Sequence, residues 1–422
     1  MVGHAIPTTL SARRLVHASV VFGLVLALAG VGPNSAHAVV LASDTVDGTT
    51  AAQRSVPRAA LPSVTMKAGE LSDGEGRVIW ARHPDAMRAM ASITKIMTAV
   101  VALEHGSVTD TITVPRAAAV IGQSSAYLFA GERLSMRDML GAMLVKSGND
   151  AAISIAIHVG GTEAHFVEMM NAKAAELGLT ETHFANSHGL DAPGHHSSAR
   201  DLAVLARYAM QKPSFRSIVR KKSIRIGPLG HKHKLASTDL LLGHYPGAIG
   251  VKTGNTNKAG YSVVSAAVRS GVTLYAVVLG TVSDARRFED ASTLLDWGFA
   301  HYRPQSLLTS GTVLGEAPVA DYLDSSVPAG VSSDVSAPVL DLNGTIHRTV
   351  VLAPVRAPVK IGDHVGAVTF TQGGKLISAT PLVAVRGIGA PNPFERVWIA
   401  MVRGWRAVFG VAALPADAAV GE

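Results

Sequence analysis

The spacing of hydrophobic positions changes from strand-like to helix-like and back again between residues 63 and 303. Residues 64–67 and 77–80 are short β-like runs on either side of a glycine-containing segment, and this arrangement predicts a hairpin. A long helical region follows over residues 92–194, interrupted by turn-like segments. Within it, residues 139–158 are apolar on most sides, which predicts a buried helix near the centre of the domain.

Strand-like patterns then return before the chain reaches residue 303. Residues 261–268 and 273–279 are apolar β-runs, and residues 285–302 form a further helical stretch. The order of strands, helices, strands and a final helix predicts an α+β fold, with an antiparallel sheet and helices packed on its faces. We expect one domain over residues 63–303.

Beyond this domain the sequence changes to short runs of Val, Leu and Thr that are separated by Gly and Pro, for example at residues 349–353 and 364–370. This pattern predicts a small all-β domain over residues 304–390. We see no internal repeat of fixed period.

Residues 391–414 have the pattern of an amphipathic helix. At 100° per residue one face carries large apolar side chains and the opposite face carries arginines. The apolar positions are Phe394, Val397, Trp398, Met401, Trp405, Val408 and Phe409, and the basic ones are Arg396, Arg403 and Arg406. Such a helix suits the plane of a membrane surface, and the alternative is packing on the β-rich domain. The three arginines argue against a membrane-spanning helix, and residues 415–422 form a short tail.

The first residues have the features of a signal peptide. Arg13 and Arg14 precede an apolar run over residues 18–31, which ends near the cleavage-site pattern Ala36-His37-Ala38. We therefore expect residues 1–38 to be removed on export, followed by a flexible linker over residues 39–62, rich in Ala, Thr, Ser and Pro. Together with the C-terminal helix, this predicts an extracytoplasmic protein associated with the outer face of the cytoplasmic membrane.

Composition narrows the possible chemistry. The chain has no cysteine, so a thiol nucleophile and thiolate metal sites are excluded, and its stability must come from a packed core. The hydrophobic fraction of 48% indicates a folded protein. The formal net charge of +7 is spread among charges of both signs, so it is weak support for nucleic-acid binding, and we expect none.

Three short motifs follow one another along the predicted first domain: Ser92-Ile93-Thr94-Lys95, Ser147-Gly148-Asn149 and Lys252-Thr253-Gly254. Each one alone is usually an ordinary capped helix or turn. On a helix, residues three apart share a face, so the amine of Lys95 would lie beside the hydroxyl of Ser92. A lysine can activate a serine only if burial or a nearby positive charge lowers its pKa, and Lys252 could supply that charge.

The other two motifs offer groups that could assist such a serine. The Ser147 hydroxyl can relay a proton, and the Asn149 amide can orient Lys95 or a substrate carbonyl. Lys252 and Thr253 can bind a substrate carboxylate. Gly254 would let a substrate backbone lie close to the strand edge.

The chain resembles the low-molecular-mass penicillin-binding proteins of the serine-type D-Ala-D-Ala carboxypeptidase family over residues 63–303. The resemblance is carried by Ala-Ser-Ile-Thr-Lys-Ile-Met-Thr, Lys-Ser-Gly-Asn-Asp-Ala, Asn-Ser-His-Gly-Leu-Asp and Val-Lys-Thr-Gly-Asn-Thr-Asn-Lys-Ala-Gly. It implies a β-lactamase/transpeptidase-like fold, removal of the terminal D-Ala from peptidoglycan stem peptides through an acyl-enzyme on Ser92, and covalent inhibition by β-lactams. Residues 357–366 carry a weaker similarity to the β-rich domain of the same family.

The same resemblance implies further site residues. The backbone N–H groups of Ser92 and Asn255 would form the oxyanion hole. Arg287, or with less support Arg286, would help to hold the substrate carboxylate. Asn255 departs from the aromatic residue or histidine that relatives often have at this position, which affects the local contacts but not the backbone N–H.

Several other residues have simpler interpretations. Ser198 and Asp201 fit a capping box at the start of a helix over residues 201–210. The pairs His195/His196 and His231/His233 suggest a metal site, but no further ligand stands at a suitable spacing, so we expect neither a metal nor another cofactor.

Three other functions remain as alternatives. A class A β-lactamase shares the three motifs but needs a glutamate for deacylation, and no Glu-x-x-Leu-Asn motif occurs between Asn149 and Lys252. An endopeptidase that cuts peptidoglycan cross-links is possible on the same fold. A non-catalytic wall-binding module is disfavoured, because all three motifs are intact.

Overall fold

A computed structural model of the protein describes residues 43–227 and 233–410. The predicted signal peptide, the first part of the predicted linker, His231 and the tail over residues 415–422 lie outside the described residues.

The first domain alternates between strands and helices. In chain order its elements are β1 (Thr45–Val46), β2 (Thr49–Thr50), β3 (Ala68–Asp73), β4 (Val78–Arg82), α1 (Lys95–His105), β5 (Thr111–Thr113), α2 (Arg116–Ala119), β6 (Arg133–Ser135), α3 (Met136–Val145), α4 (Asn149–Gly160), α5 (Glu163–Glu176), α6 (Ala199–Gln211), α7 (Pro213–Val219), β7 (Ser223–Ile226), β8 (His233–Ala236), β9 (Ala248–Thr256), β10 (Gly260–Arg269), β11 (Val272–Thr281) and α8 (Asp284–His301).

A seven-stranded antiparallel sheet forms the middle layer, with the strand order β2-β1-β4-β3-β11-β10-β9. Successive side chains of β11 alternate between its two faces, as the period of a strand requires. Leu274 and Ala276 pack with α8, whereas Tyr275 and Val277 pack with the larger helical layer that contains α1 and α3–α6. This three-layer arrangement confirms the predicted α+β class, and it leaves β9 at an edge of the sheet.

Most of the elements predicted from the hydrophobic pattern are present. The strands predicted near residues 261–268 and 273–279 are β10 and β11, and the helix predicted over 285–302 is α8. The first hairpin is confirmed, but its first strand is β3 and not residues 64–67. The backbone N–H of Thr65 instead donates to the Asp290 carboxylate at 2.9 Å, which draws this segment towards α8.

Residues 43–62, which we expected to belong to a flexible linker, pack against the sheet. Here β1 pairs with β4, and Asp44 accepts hydrogen bonds of 2.8 and 2.7 Å from the guanidinium of Arg82. Both side chains are buried. Asp47 also binds Lys375 of the second domain at 2.8 Å. The linker prediction is wrong for these residues. Their stabilising partners are distant in sequence, so the local composition gives no information about these contacts.

The second domain is all-β, as predicted. Its strands are β12 (Tyr302–Leu308), β13 (Val313–Pro318), β14 (Ser326–Gly330), β15 (Val335–Leu340), β16 (Ile346–Leu352), β17 (His364–Gln372) and β18 (Lys375–Ala384). A five-stranded sheet of order β13-β14-β18-β17-β16 lies beside the β12-β15 pair. Side chains such as Val327, Val368 and Leu382 form its own hydrophobic core.

The chain then forms the amphipathic helix α9 (Pro393–Phe409), which begins at a capping box between Asn392 and Glu395. The arginine face lies towards the β-rich domain. Arg403 donates to the backbone carbonyls of Ala320 and Tyr322, and Arg406 lies 3.9 Å from a carboxylate oxygen of Asp324. The opposite apolar face is exposed, and it consists of Phe394, Val397, Trp398, Met401, Trp405, Val408 and Phe409. No helix among the described residues is long and apolar enough to cross a membrane.

Candidate active site

Ser92 lies in a 3₁₀ turn over Ala91–Thr94 that leads directly into α1. The predicted proximity to Lys95 is confirmed, because the Lys95 Nζ lies 2.8 Å from the Ser92 Oγ. Lys95 is fully buried, whereas Ser92 lines an open cleft of about 300 Å³. The hydroxyl is therefore accessible from the cleft, and the amine beneath it is shielded from water.

Burial and a neighbouring charge favour the neutral form of Lys95, and the oxygens around the amine set the direction of its lone pair. Its Nζ lies 2.7 Å from the Asn149 Oδ1 and 2.5 Å from the His188 carbonyl oxygen, and both of these oxygens can only accept hydrogen bonds. A neutral amine would give its two N–H bonds to these oxygens, so its lone pair would be directed at the Ser92 hydroxyl. Burial, and next the positive charge of Lys252, hold the pKa of Lys95 well below its usual range.

The second motif interrupts the helical region at the point where the prediction had one continuous helix over residues 139–158. That prediction is wrong: α3 ends at Val145 and α4 begins at Asn149. Ser147 between them has a φ of 66°, which an α-helix cannot contain. The break places both the Ser147 hydroxyl and the Asn149 amide at the cleft, where the hydrophobic pattern gave no sign of it.

The loop over residues 122–128 contributes to the wall of the cleft. It is held in place by Asp150, the residue that follows this motif. The carboxylate of Asp150 accepts hydrogen bonds from the Ser125 hydroxyl at 2.7 Å and from the backbone N–H of Ala126 and Leu128. The Asn149 Nδ2 donates to the Gly122 carbonyl of the same loop at 3.2 Å. Sequence reasoning missed this loop, although Asp150 belongs to the motif that carries the resemblance.

The third motif lies on the edge strand β9. The Lys252 Nζ donates to the Ser147 Oγ at 2.9 Å, so the second and third motifs are in direct contact. The Thr253 hydroxyl lies 2.6 Å from that of Thr238. Burial, and next the charge of Arg287, lower the pKa of Lys252 to about 7, while the buried carboxylate of Asp239 opposes this shift.

The structure gives a reason for the glycine at position 254 in addition to the predicted one. A Cβ at this position would lie 2.8 Å from the Met90 carbonyl oxygen and 3.1 Å from the Cβ of Ala91. The close approach is therefore between β9 and the chain's own turn that carries Ser92. A side chain here would force apart the strand and the serine.

Arg287, and not Arg286, lies at the cleft. Its guanidinium donates to the Gly254 carbonyl at 3.1 Å and forms an ion pair with Asp284. Arg286 instead pairs with Glu289 at 2.7 Å on the exposed side of α8. Together with Lys252, this arrangement gives the end of the cleft near Thr253 two cations that could attract a carboxylate.

The nine predicted site residues all meet at one place. Those that line the cleft are Ser92, Ser147, Asn149, Thr253, Gly254, Asn255 and Arg287. Lys95 and Lys252 lie directly behind it, each bonded to one of the two serines.

The segment around His188 contributes to the site in a way that sequence reasoning missed. Besides the carbonyl that binds Lys95, it supplies Leu190 to the wall of the cleft. Gly189 has a φ of 96°, and a Cβ there would lie 2.1 Å from the Ala91 carbonyl oxygen. The Asn-Ser-His-Gly-Leu-Asp motif was the available signal, since its glycine permits this close contact.

The other residues considered in the sequence analysis, Ser198 and the histidines that the structure describes, make contacts that stabilise the fold. The His195 Nε2 lies 2.8 Å from the Thr94 hydroxyl, its Nδ1 accepts from the Ala185 N–H, and burial lowers its pKa to about 4. His233 lies 2.8 Å from Glu132. Ser198 caps α6, as predicted. Within the part of the chain that the structure describes, no group of three or more His, Cys, Asp or Glu side chains could hold a metal ion.

Comparison with known proteins identifies the family of this chain. A sequence model of the D-alanyl-D-alanine carboxypeptidase family matches residues 60–283, and one of the C-terminal domain of penicillin-binding protein 5 matches residues 302–389. The D-alanyl-D-alanine carboxypeptidase DacC of Escherichia coli is 33% identical over 353 residues, which cover 80% of this chain and 88% of that protein.

Solved structures give the same result. The structure of penicillin-binding protein 5 from Haemophilus influenzae has a TM-score of 0.60 and 29% identity, and the match covers 78% of this chain and 99% of that one. Penicillin-binding protein 6B from Escherichia coli has a TM-score of 0.60 and 31% identity, with 77% and 96% covered. The chain belongs to the D-alanyl-D-alanine carboxypeptidase family of penicillin-binding proteins.

Proposed function

We propose that this protein is a serine-type carboxypeptidase that removes the terminal D-Ala from peptidoglycan stem peptides through an acyl-enzyme on Ser92. The observation that carries the proposal is the buried Lys95 amine, which lies 2.8 Å from an accessible serine hydroxyl and is held there by two oxygens that only accept hydrogen bonds. A serine needs such a base to become a nucleophile.

In the first half of the reaction, Lys95 takes the hydroxyl proton while the Ser92 Oγ attacks the carbonyl carbon of the penultimate D-Ala. The backbone N–H groups of Ser92 and Asn255 stabilise the resulting oxyanion. The C–N bond then breaks, and the proton that Lys95 had taken passes through the Ser147 hydroxyl to the departing amine of the terminal D-Ala, which leaves Lys95 neutral for the second half. The 2.9 Å contact with Lys252 orients this hydroxyl.

In the second half, water attacks the ester carbonyl and gives a proton to Lys95. The acyl group leaves as the shortened peptide, and the proton returns to the Ser92 Oγ. During the first half the terminal carboxylate is held near Thr253 by Lys252 and Arg287. β-Lactams present a carboxylate and a strained carbonyl to the same groups, so they acylate Ser92 covalently.

The direct test is incubation of the protein over residues 39–422 with a peptide that ends in D-Ala-D-Ala. We expect stoichiometric release of free D-alanine and of the peptide shortened by one residue, measured by mass spectrometry. A cross-linked dimeric stem peptide and a β-lactam serve as comparison substrates. Cleavage of the cross-link without release of D-alanine would favour an endopeptidase, and rapid turnover of the β-lactam alone would favour a β-lactamase.

We also propose that the protein is exported and that α9 associates with a membrane surface. The supporting observation is the orientation of the helix. Its arginine side contacts the β-rich domain, whereas side chains such as Trp398 and Trp405 remain exposed, at 61% and 57%. Burial of these apolar side chains in the interfacial region of a membrane would stabilise the bound state of the helix. Because the arginines already have protein partners, added salt should weaken membrane binding only slightly.

A sedimentation assay with phospholipid vesicles tests this association. Removal of residues 391–422, or the paired substitution Trp398→Ser and Trp405→Ser, should reduce the vesicle-bound fraction by about tenfold or more. The matched control is Ile361→Ser with Leu376→Ser, which removes two exposed apolar side chains from the β-rich domain. Equal binding by the wild-type protein and the tryptophan variant would refute the association, and D-alanine release should stay the same in every variant.

A further inference from the structure

A second cavity, of about 390 Å³, adjoins the cleft of the candidate active site. Asn255 and Thr256 belong to the walls of both. The cavity lies at the end of the sheet where β9 and β11 finish and where β3 and β10 begin. The two cavities therefore follow one another along the end of β9.

Positive charge surrounds this cavity. Lys67 and Lys258 are exposed residues in its lining, and neither side chain has an ion pair or a hydrogen bond among the described residues. Arg88 adds a third cation, because its Nη2 lies 3.2 Å from the position of a Cβ built on Gly280, beside the Lys67 side chain. The Arg88 Nε is buried and without a partner in the described part of the chain.

The acidic group of Asp191 is close to these cations, and it is already engaged. The carboxylate of Asp191 accepts hydrogen bonds from the Thr256 hydroxyl at 2.7 Å and from the backbone N–H of Lys258 at 3.2 Å. It holds the β9–β10 turn in place and forms no contact with the Lys258 amine. The cavity therefore keeps unpaired positive charge, which favours an anionic group in a ligand.

The geometry of β9 indicates which part of a substrate would reach the cavity. An extended peptide adds to an edge strand by backbone pairing, and an antiparallel orientation is needed to put its C-terminal carboxylate beside Thr253 and Arg287. Its preceding residues then run past Asn255 and Thr256. At about 3.3 Å per residue, the residue before the terminal dipeptide lies at the end of β9, where the cavity opens.

From this arrangement we infer that Lys67 and Lys258 form a subsite for a carboxylate on the side chain of the residue that precedes the D-Ala-D-Ala dipeptide. This inference rests on the proposed function and adds a substrate preference to it. Arg88 strengthens the positive potential from the side of Gly280. The subsite acts on substrate binding, because it lies beyond the groups that move protons.

The test uses two peptides, acetyl-L-Glu-D-Ala-D-Ala and acetyl-L-Gln-D-Ala-D-Ala, which differ only in the charge of one side chain. For the wild-type protein we expect kcat/KM for D-alanine release to be about fivefold higher with the Glu peptide, mainly through a lower KM. The paired substitution Lys67→Ala and Lys258→Ala should reduce this ratio to about one. The ratio should also fall as salt is added.

The control is Lys360→Ala, which removes an exposed lysine of the β-rich domain and should leave the ratio unchanged. Acylation by a β-lactam with an uncharged side chain should proceed at the wild-type rate in the paired variant, which shows that the catalytic groups are intact. Equal hydrolysis of both peptides by the wild-type protein, or an unchanged preference in the paired variant, would overturn the subsite. Failure to hydrolyse either peptide would instead overturn the proposed function.

Discussion

Replacing Ser92 by alanine is expected to abolish covalent labelling by a fluorescent penicillin and to reduce D-alanine release by at least about 10⁴-fold. The proposed reaction has no other attacking group, since it passes through an ester on the Ser92 Oγ. The change removes one oxygen atom from a turn in which the adjacent residues Ala91 and Ile93 are buried, so the fold should persist. Intact-protein mass spectrometry measures the label, and thermal unfolding measures the stability.

A matched control separates this effect from the loss of any serine. In Ser217→Ala the lost hydroxyl is exposed, and within the described part of the chain it bonds only to the Ser214 carbonyl of its own helix, so labelling and D-alanine release should equal those of the wild-type protein. If Ser92→Ala keeps a stoichiometric label, the nucleophile is another residue. Peptide mapping of that label would then identify it.

The sequence alone predicts much of this site because its motifs have short and regular spacings. Ser92 and Lys95 are three residues apart, and this separation brings their side chains together on any helical turn. The sheet was also predictable, since β10 and β11 are long apolar runs joined by a short turn. Local patterns of this kind need no knowledge of the rest of the fold.

The parts that could not be predicted depend on contacts between distant segments. The His188 carbonyl that binds Lys95 is 93 residues away from it, and Asp44 is 38 residues away from Arg82. The break between α3 and α4 depends on the backbone of Ser147, whereas the hydrophobic pattern simply continues through it. Side-chain periodicity reports which face of an element is buried, but it does not report a single residue with positive φ.

Replacing Lys95 by alanine is expected to slow the acylation of Ser92 by about 10²–10⁴-fold, the usual contribution of a general base. Lys95→Arg is the informative second variant. It keeps a positive charge and hydrogen-bond donors beside Asn149 and the His188 carbonyl, but a guanidinium does not lose its proton near neutral pH. Both variants should therefore be impaired to a similar extent. Wild-type rates in Lys95→Arg would show that the lysine only positions the serine, and thermal unfolding checks that each variant is folded.

The pH dependence of kcat/KM provides the final test of Lys95 as the base. A base must be unprotonated, so activity should fall as the pH decreases through the pKa of Lys95, and this acidic limb should lie well below pH 10.5, because burial and Lys252 lower that pKa. Above about pH 7, Lys252 loses its charge and holds the substrate carboxylate less well, so kcat/KM should decline again, mainly through KM. In the complex the bound carboxylate favours charged Lys252, so the alkaline limb of kcat should lie at higher pH than that of kcat/KM.

The residual activity of Lys95→Arg should lack the acidic limb, because arginine does not titrate in this range. An acidic limb of unchanged midpoint in that variant would assign the base to a different group.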